Sequence, residues 1–412
     1  MNPLKEKAKN LDSLFMRMDK TYVKPYDKNE VNPYSKTRVI LMNGTEFEQV
    51  WFTHGWHRHE INQDLRRDLA VLRKLEQQQQ KLISCLKPID ETILESTIGY
   101  EQLAVDLTAC MARTEKDVGV KEQLDFALLE DFDHLYRYAD LLEMDMGVKA
   151  EKLVGKYTDI MPGRPTISEH RHPLDSIRRP INSSADILTK LHVNIITAAE
   201  QQTMNYYMNV GGFYGNDLGR KLYAEIAMIE EQHVSEYGSL LDPNCTMLES
   251  LVMHEFTECY LYYSCYQTET CEHLKKVWEM MFEQEISHLH YAVELLQKYE
   301  KKDAESVIGK GEFPQLLDFE SNIEYVRKVM KATVENTASK ENIISVKELP
   351  KDSRFFTYQE QIVGSQCAVP SHEVIDSYIK ANGEDYRWEA APHPIECLKD
   401  RRIDNTTLGR QA

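Results

Sequence analysis

Apolar side chains along this chain recur every three or four residues, and between about residues 90 and 300 that period is almost unbroken. The pattern predicts three pairs of helices. The first pair covers 90–113 and 119–147, turning at EKDVGV; the second covers 184–209 and 217–240, turning at VGGFYGND. The third covers 247–268 and 271–300 and opens just after DPN with a capping-box signature, Thr246 with Glu249. A long Pro-rich passage, 148–183, separates the first pair from the second, whereas LDPNCT alone joins the second to the third. Upstream, residues 1–57 are mixed, and HGWHRHE (54–60) leads into one helix ending near Cys85. Downstream, one more helix is expected at 321–333, with Ser321 and Glu324 as its capping pair, and no steady period follows it. The fold class is therefore all-α. In chain order it reads as an N-terminal segment with a leading helix (1–87), a helical domain (88–300), and a helix plus an irregular C-terminal arm (301–412).

Some polar residues interrupt the apolar stripes at positions that matter. In FEQEISHLHY (282–291), Glu285 and His288 share one face with Trp278, Met281, Ala292 and Leu295. A carboxylate on a buried face loses its water, at a cost of several kcal/mol or so unless something pairs with it. Glu255 stands thirty residues before Glu285. The second pair repeats the arrangement with Glu200, Glu230 and His233, and the first repeats it with Glu101, Asp131 and His134. Composition alone leads one to expect about 0.4 such sets in the chain, and there are three. All three lie on apolar stripes, such as Leu124, Ala127, Tyr138 and Leu141 around Asp131 and His134, and those stripes carry no basic residue. The helical hairpin is an internal repeat with polar residues facing inward.

The residue types point to a metal. Glu and His at i and i+3 project from one side of a helix and can reach one ion or two neighbouring ions. Oxygen and nitrogen ligands without thiolate suit iron or manganese better than structural zinc. Two hairpins together bring four carboxylates, whose charge two divalent ions neutralise.

A Glu from each of two helices plus Glu-x-x-His from each of two others resembles the pattern of the ferritin-like di-iron carboxylate superfamily. That group includes ferritins, rubrerythrins, manganese catalases and several oxygen-activating hydroxylases. The resemblance covers roughly residues 90–300 and implies a ferritin-like bundle, here built from three repeated hairpins with extra helices. It also implies two iron ions (or manganese) held by Glu101, Asp131, His134, Glu200, Glu230, His233, Glu255, Glu285 and His288. The implied activity is redox chemistry with dioxygen or peroxide, as an oxidase, peroxidase or oxygenase; the alternative is iron or manganese binding, storage or sensing without turnover. Asp131 departs from the pattern, and a third hairpin exceeds the two that one site needs. Three pairings stay open: the first hairpin with the second, which the long passage 148–183 allows; the second with the third, which carry the full ligand set; and the third with its own copy in a homodimer.

Around these sets, Glu258 shares the face of Glu255, and Tyr207, Tyr237 and Tyr262 lie near ligand level. His54, His57, His170 and His172 fall in loop-like clusters, and GGFYG lacks the strand that a phosphate-binding loop requires. A net charge of -18, from 49 basic and 67 acidic residues, argues against nucleic acid and gives no reason for an anionic membrane surface. The opening MNPLKEKAKNLDSLF lacks a signal-peptide run and no stretch is long enough to span a membrane, so the expected location is cytoplasmic. Eight cysteines include no C-x-x-C pair, which leaves any electron donor as a separate molecule.

Overall fold

A computed structural model describes residues 1–364, 369–388, 394–396 and 399, and almost all regular structure in them is helical. In chain order the helices are α1 (Pro33–His59), α2 (Gln63–Ser84), α3 (Ile93–Thr114), α4 (Val118–Met146), α5 (Glu151–Val154), α6 (Thr166–Glu169) and α7 (Ile187–Val210). They continue with α8 (Asp217–Gly238), α9 (Met247–Thr268), α10 (Glu272–Glu300), α11 (Glu305–Ile308), α12 (Ile323–Thr333), α13 (Arg354–Val363) and α14 (Pro370–Asn382). A two-stranded antiparallel hairpin, β1 (Asn336–Ser339) with β2 (Asn342–Ser345), pairs Asn336 with Ser345 and Ser339 with Asn342. Among the described residues no helix is long and apolar enough to cross a membrane.

Two compact units share the chain, and neither is continuous in sequence. The first comprises Met1–Glu91, Pro180–Gln202 and Leu241–Asp318; the second comprises Thr92–Arg179, Thr203–Leu240 and the chain from Phe319 onward. The stretch 88–300 thus contributes to both, and α7 is one continuous helix through Gln202 and Thr203.

In the first unit α1 packs on α2 and on α9, and α10 packs on α9 and α2. The first unit therefore has its own helical hairpin, α1–α2, where the apolar pattern predicts a single leading helix. The difference has a physical cause. The buried positions of α1 include Ser35, Thr37, Arg38, Thr45, Glu46, Gln49 and Thr53 beside Val39, Leu41 and Met42, so its inward face does not read as apolar. Local signals do fix its start: Asn32 accepts from the Tyr34 N–H, and Pro33 occupies the first turn. At the start of α9 both halves of the expected capping box form, with Thr246 accepting from the Glu249 N–H and Glu249 accepting from the Thr246 N–H.

The second unit is built on α3 and α4, with α8 and α14 against α4, and α12 against both α3 and α4. Nearly every residue of α4 from Gln123 to Leu142 is buried, including the stripe Leu124, Ala127, Tyr138 and Leu141. The Pro-rich passage after α4 stays against it. Gly163 donates its N–H to Asp133 Oδ1 at 2.9 Å, and a Cβ there would meet Leu129 O at 2.5 Å, so only glycine lets the loop lie this close. Helix α12 forms where the pattern places it, but Asn322 is its cap residue without a capping bond, and Ser321 Oγ instead donates to Tyr157 O. Within the expected C-terminal arm the β-hairpin, α13 and α14 are regular elements; positions 365–368, 389–393, 397–398 and 400–412 lie outside the described residues.

Candidate metal centres

Helices α3, α4 and α8 aim five ligand-type side chains into the interior of the second unit. Glu101 comes from α3, Asp131 and His134 from successive turns of α4, and Glu230 and His233 from α8; all five are fully buried. The spacing of three within each helix puts acid and imidazole on one side. Ligand atoms of Glu101, Asp131, His134 and Glu230 lie within 4.8 Å of one another. Asp131 and Glu230 also gather with His233: its Nδ1 is 3.3 Å from Asp131 Oδ1 and 3.3 Å from Glu230 Oε2. Glu200 is buried on α7, in the part of that helix that belongs to the first unit. Asp131 and Glu230 are common to both groups, and each group has one histidine.

Each imidazole is held from behind. His134 Nδ1 lies 3.0 Å from Glu230 Oε1, and its Nε2 lies 3.0 Å from Glu169 Oε2. His233 Nε2 lies 2.8 Å from Glu130 Oε2. When Nε2–H donates to the outer carboxylate, Nδ1 is left as a lone pair facing the acids. Glu130 is in turn gripped by Arg171 Nη1 at 2.5 Å and Arg164 Nη1 at 2.9 Å, and Arg171 also reaches Glu236 Oε1 at 2.8 Å. Burial raises the Glu130 carboxyl, but Arg171, the hydrogen bond from His233 and Arg164 outweigh it and hold the group well below the usual range. On Glu169 burial wins over His134 and pushes the carboxyl up to about 8. Burial also raises Glu101 and Asp131. Glu230 is opposite: hydrogen bonds from His134 and His233 overcome burial and hold it at about 2. Tyr207 Oη donates to Glu101 Oε1 at 2.5 Å.

A second cluster fills the first unit. It comprises Glu46 and Gln49 of α1, Glu76 and Gln79 of α2, Glu255 and Glu258 of α9, and Glu285 and His288 of α10, all buried. Here His288 Nδ1 lies 2.8 Å from Glu76 Oε1 and 3.2 Å from Glu285 Oε1. Glu76, Glu255, Glu285 and His288 form one group within 4.8 Å, and Glu46, Glu76 and Glu258 form another. Tyr262 donates to Glu46, and Gln79 Nε2 donates to Glu285 Oε1 at 2.6 Å.

Of the three pairings left open by the sequence, the structure brings Glu101, Asp131 and His134 of the first hairpin to Glu230 and His233 of the second. It sets Glu255, Glu285 and His288 against the α1–α2 hairpin instead. That fourth hairpin was legible in part. Glu46 precedes Glu76 by thirty residues, the same interval as in the other three, but the position three beyond Glu76 holds Gln79 rather than histidine. Arg164, Glu169 and Arg171 carry no such signal, since the passage 148–183 has no helical period, and Glu130 on α4 falls outside the thirty-residue spacing. Basic residues are absent from the ligand stripes yet arrive through space, and they pair with Glu130 rather than with Asp131. Among the expected accessories, Glu258 is buried in the first unit's cluster. His54, His57, His170 and His172 belong to none of the ligand groups; His170 Nε2 lies 3.4 Å from Glu225 and His172 Nδ1 accepts from the Leu174 N–H. Tyr237 is buried beside His233, ring to ring at 6.4 Å.

The donor set tests whether a metal fits. Glu101 Oε2 and Asp131 Oδ2 are buried without a hydrogen-bond partner among the described residues. Fully buried carboxylate oxygens left so are costly unless a cation completes them. Fold and clusters together define an all-α helical bundle protein whose grouped acidic and histidine side chains are able to chelate metal ions. No family model, curated protein or solved structure matches the chain.

Proposed function

We propose that the second unit holds a pair of metal ions, iron before manganese, and that the protein carries out redox chemistry with dioxygen or peroxide in the manner of the ferritin-like di-iron carboxylate superfamily. The observation that carries this reading is the sharing of Asp131 and Glu230 between two one-histidine groups. Asp131 and Glu230 would be shared between two ions, and His134 and His233 would each supply a nitrogen to one of them. A bound iron pair would supply the electron exchange with the oxidant.

The chain's own residues do the rest. Glu169 and Glu130 keep His134 and His233 in the tautomer that presents Nδ1, and Arg164 and Arg171 keep Glu130 ionised for that task. Tyr207 fixes the rotamer of Glu101 through one of its oxygens and leaves the other for a ligand bond. Apolar walls from α4 and α8, including Ile226 and Leu124, exclude bulk water and strengthen every charge interaction inside. An oxidase, peroxidase or oxygenase with a separate electron donor, acting in the cytoplasm, is the form of this activity that we favour.

The test uses the anaerobically iron-loaded chain exposed to peroxide. Sustained turnover that is lost in His134→Ala and His233→Ala, together with bound metal, supports the proposal. A single stoichiometric oxidation would favour storage or sensing instead, and full metal content with normal turnover in His233→Ala would overturn the assignment.

A further inference from the structure

We infer that the first unit contains a second metal centre, chemically distinct from that of the second unit, which takes a harder, oxygen-preferring divalent ion of the manganese type. Its residues are separate from those of the second unit's site. Five carboxylates, Glu46, Glu76, Glu255, Glu258 and Glu285, share this buried space, and among the described residues none forms an ion pair with Arg or Lys. Glu258 is the sharpest case. It is 1% exposed, both of its oxygens lack a hydrogen-bond partner, and it gathers with Glu46 and Glu76 within 4.8 Å. An acid built into that position without a cation would be strongly destabilising in its ionised form.

The nitrogen count separates the two centres. In the second unit each ligand group has an imidazole, and each imidazole is backed by a carboxylate. In the first unit only His288 offers nitrogen, and its Nε2 has no hydrogen-bond partner among the described residues. The equivalent place on α2 is Gln79, whose amide donates to Glu285 Oε1 rather than offering a ring nitrogen. The group Glu46, Glu76 and Glu258 is therefore all oxygen. Carboxylate sites suit manganese or magnesium, whereas imidazole draws the scale toward iron and zinc. A histidine without an outer carboxylate is also a less basic ligand. Glu76 belongs to both groups and would be shared between the ions they hold.

The experiment loads the full chain anaerobically with equimolar Fe(II) and Mn(II), removes loose metal, and measures both elements per chain. Glu76→Gln/Glu258→Gln alters the first unit with isosteric, uncharged side chains, while His134→Ala/His233→Ala alters the second. We expect the first variant to lose metal relative to wild type, and the manganese-to-iron ratio of the second variant to be several-fold higher than that of the first. Gln79→His, which adds a nitrogen without charge, should move the ratio toward iron. Unchanged metal content in Glu76→Gln/Glu258→Gln, or equal ratios in the two double variants, would overturn the inference. Metal lost only from Glu76→Gln/Glu258→Gln would leave this inference standing and refute the proposed function of the second unit.

Discussion

Both ring nitrogens of His134 are engaged by carboxylates from different elements. Burial lowers its pKa, but Glu169 and Glu230 outweigh burial and raise it above that of free imidazole. An ion held through Nδ1 would take the place of any proton there. Outer partners of this kind typically contribute about 10- to 100-fold in metal affinity. Glu169→Gln should accordingly weaken one of the two ions by roughly that factor and leave the other bound, which titration calorimetry with Fe(II) or Mn(II) would resolve. Equal affinity in wild type and variant would show that Glu169 is only packing.

At the scale of elements, the passage between α4 and α7 decides the site as much as the helices do. It carries Arg164, Glu169 and Arg171 to the back of the clustered acids and histidines, and Gly163 is the point of closest approach. Gly163→Ala should push the loop off α4, costing about 1–3 kcal/mol by overpacking and lowering metal content, as chemical denaturation and elemental analysis would report. A second contact ties the C-terminal elements to the same passage. Asp175 accepts from Arg354 Nε at 3.0 Å and Nη2 at 2.6 Å and from the Lys340 N–H at 2.6 Å. Burial raises its carboxyl, but these bonds outweigh it and leave the group below the usual aspartate value. A depressed pKa contributes stability above the unfolded value, about 3.9, and loses it as pH falls through the folded one. Proteolytic cutting near α13 should therefore stay constant from neutral pH down to about 5 and rise below the unfolded value. In Asp175→Asn it should be fast throughout, and pH-independent cutting in wild type would contradict the clamp.

These elements also mark what the sequence could reveal. The interval of thirty between acids is legible because two long helices joined by a tight turn keep their inward faces in phase. Glu101 and Asp131, or Glu255 and Glu285, therefore sit opposite one another by construction. Helix α1 was hidden because its inward face is polar, with Glu46 and Gln49 in place of the expected apolar positions. Gln79 hid the fourth hairpin from any pattern that demands histidine. Arg171 and Glu169 were hidden for a third reason: contacts made through space by an irregular loop leave no period.

For the whole molecule, the balance is one of charge. A chain with net charge -18 buries two sets of carboxylates, and burial raises most of them: Glu46, Glu76, Glu101, Asp131, Glu255 and Glu258. Ions that bind only the folded chain should stabilise it, by about 2.7 kcal/mol for each site when free metal is a hundred times Kd. Chelation should lower the melting temperature, and manganese or iron should restore it. The most direct test of the central claim is anomalous diffraction at the iron edge from crystals loaded with Fe(II) under anaerobic conditions. Two peaks are expected in the second unit, one in ligand contact with His134 and one with His233, with Asp131 and Glu230 between them. Crystals at full iron load with no peak among these side chains would contradict that claim.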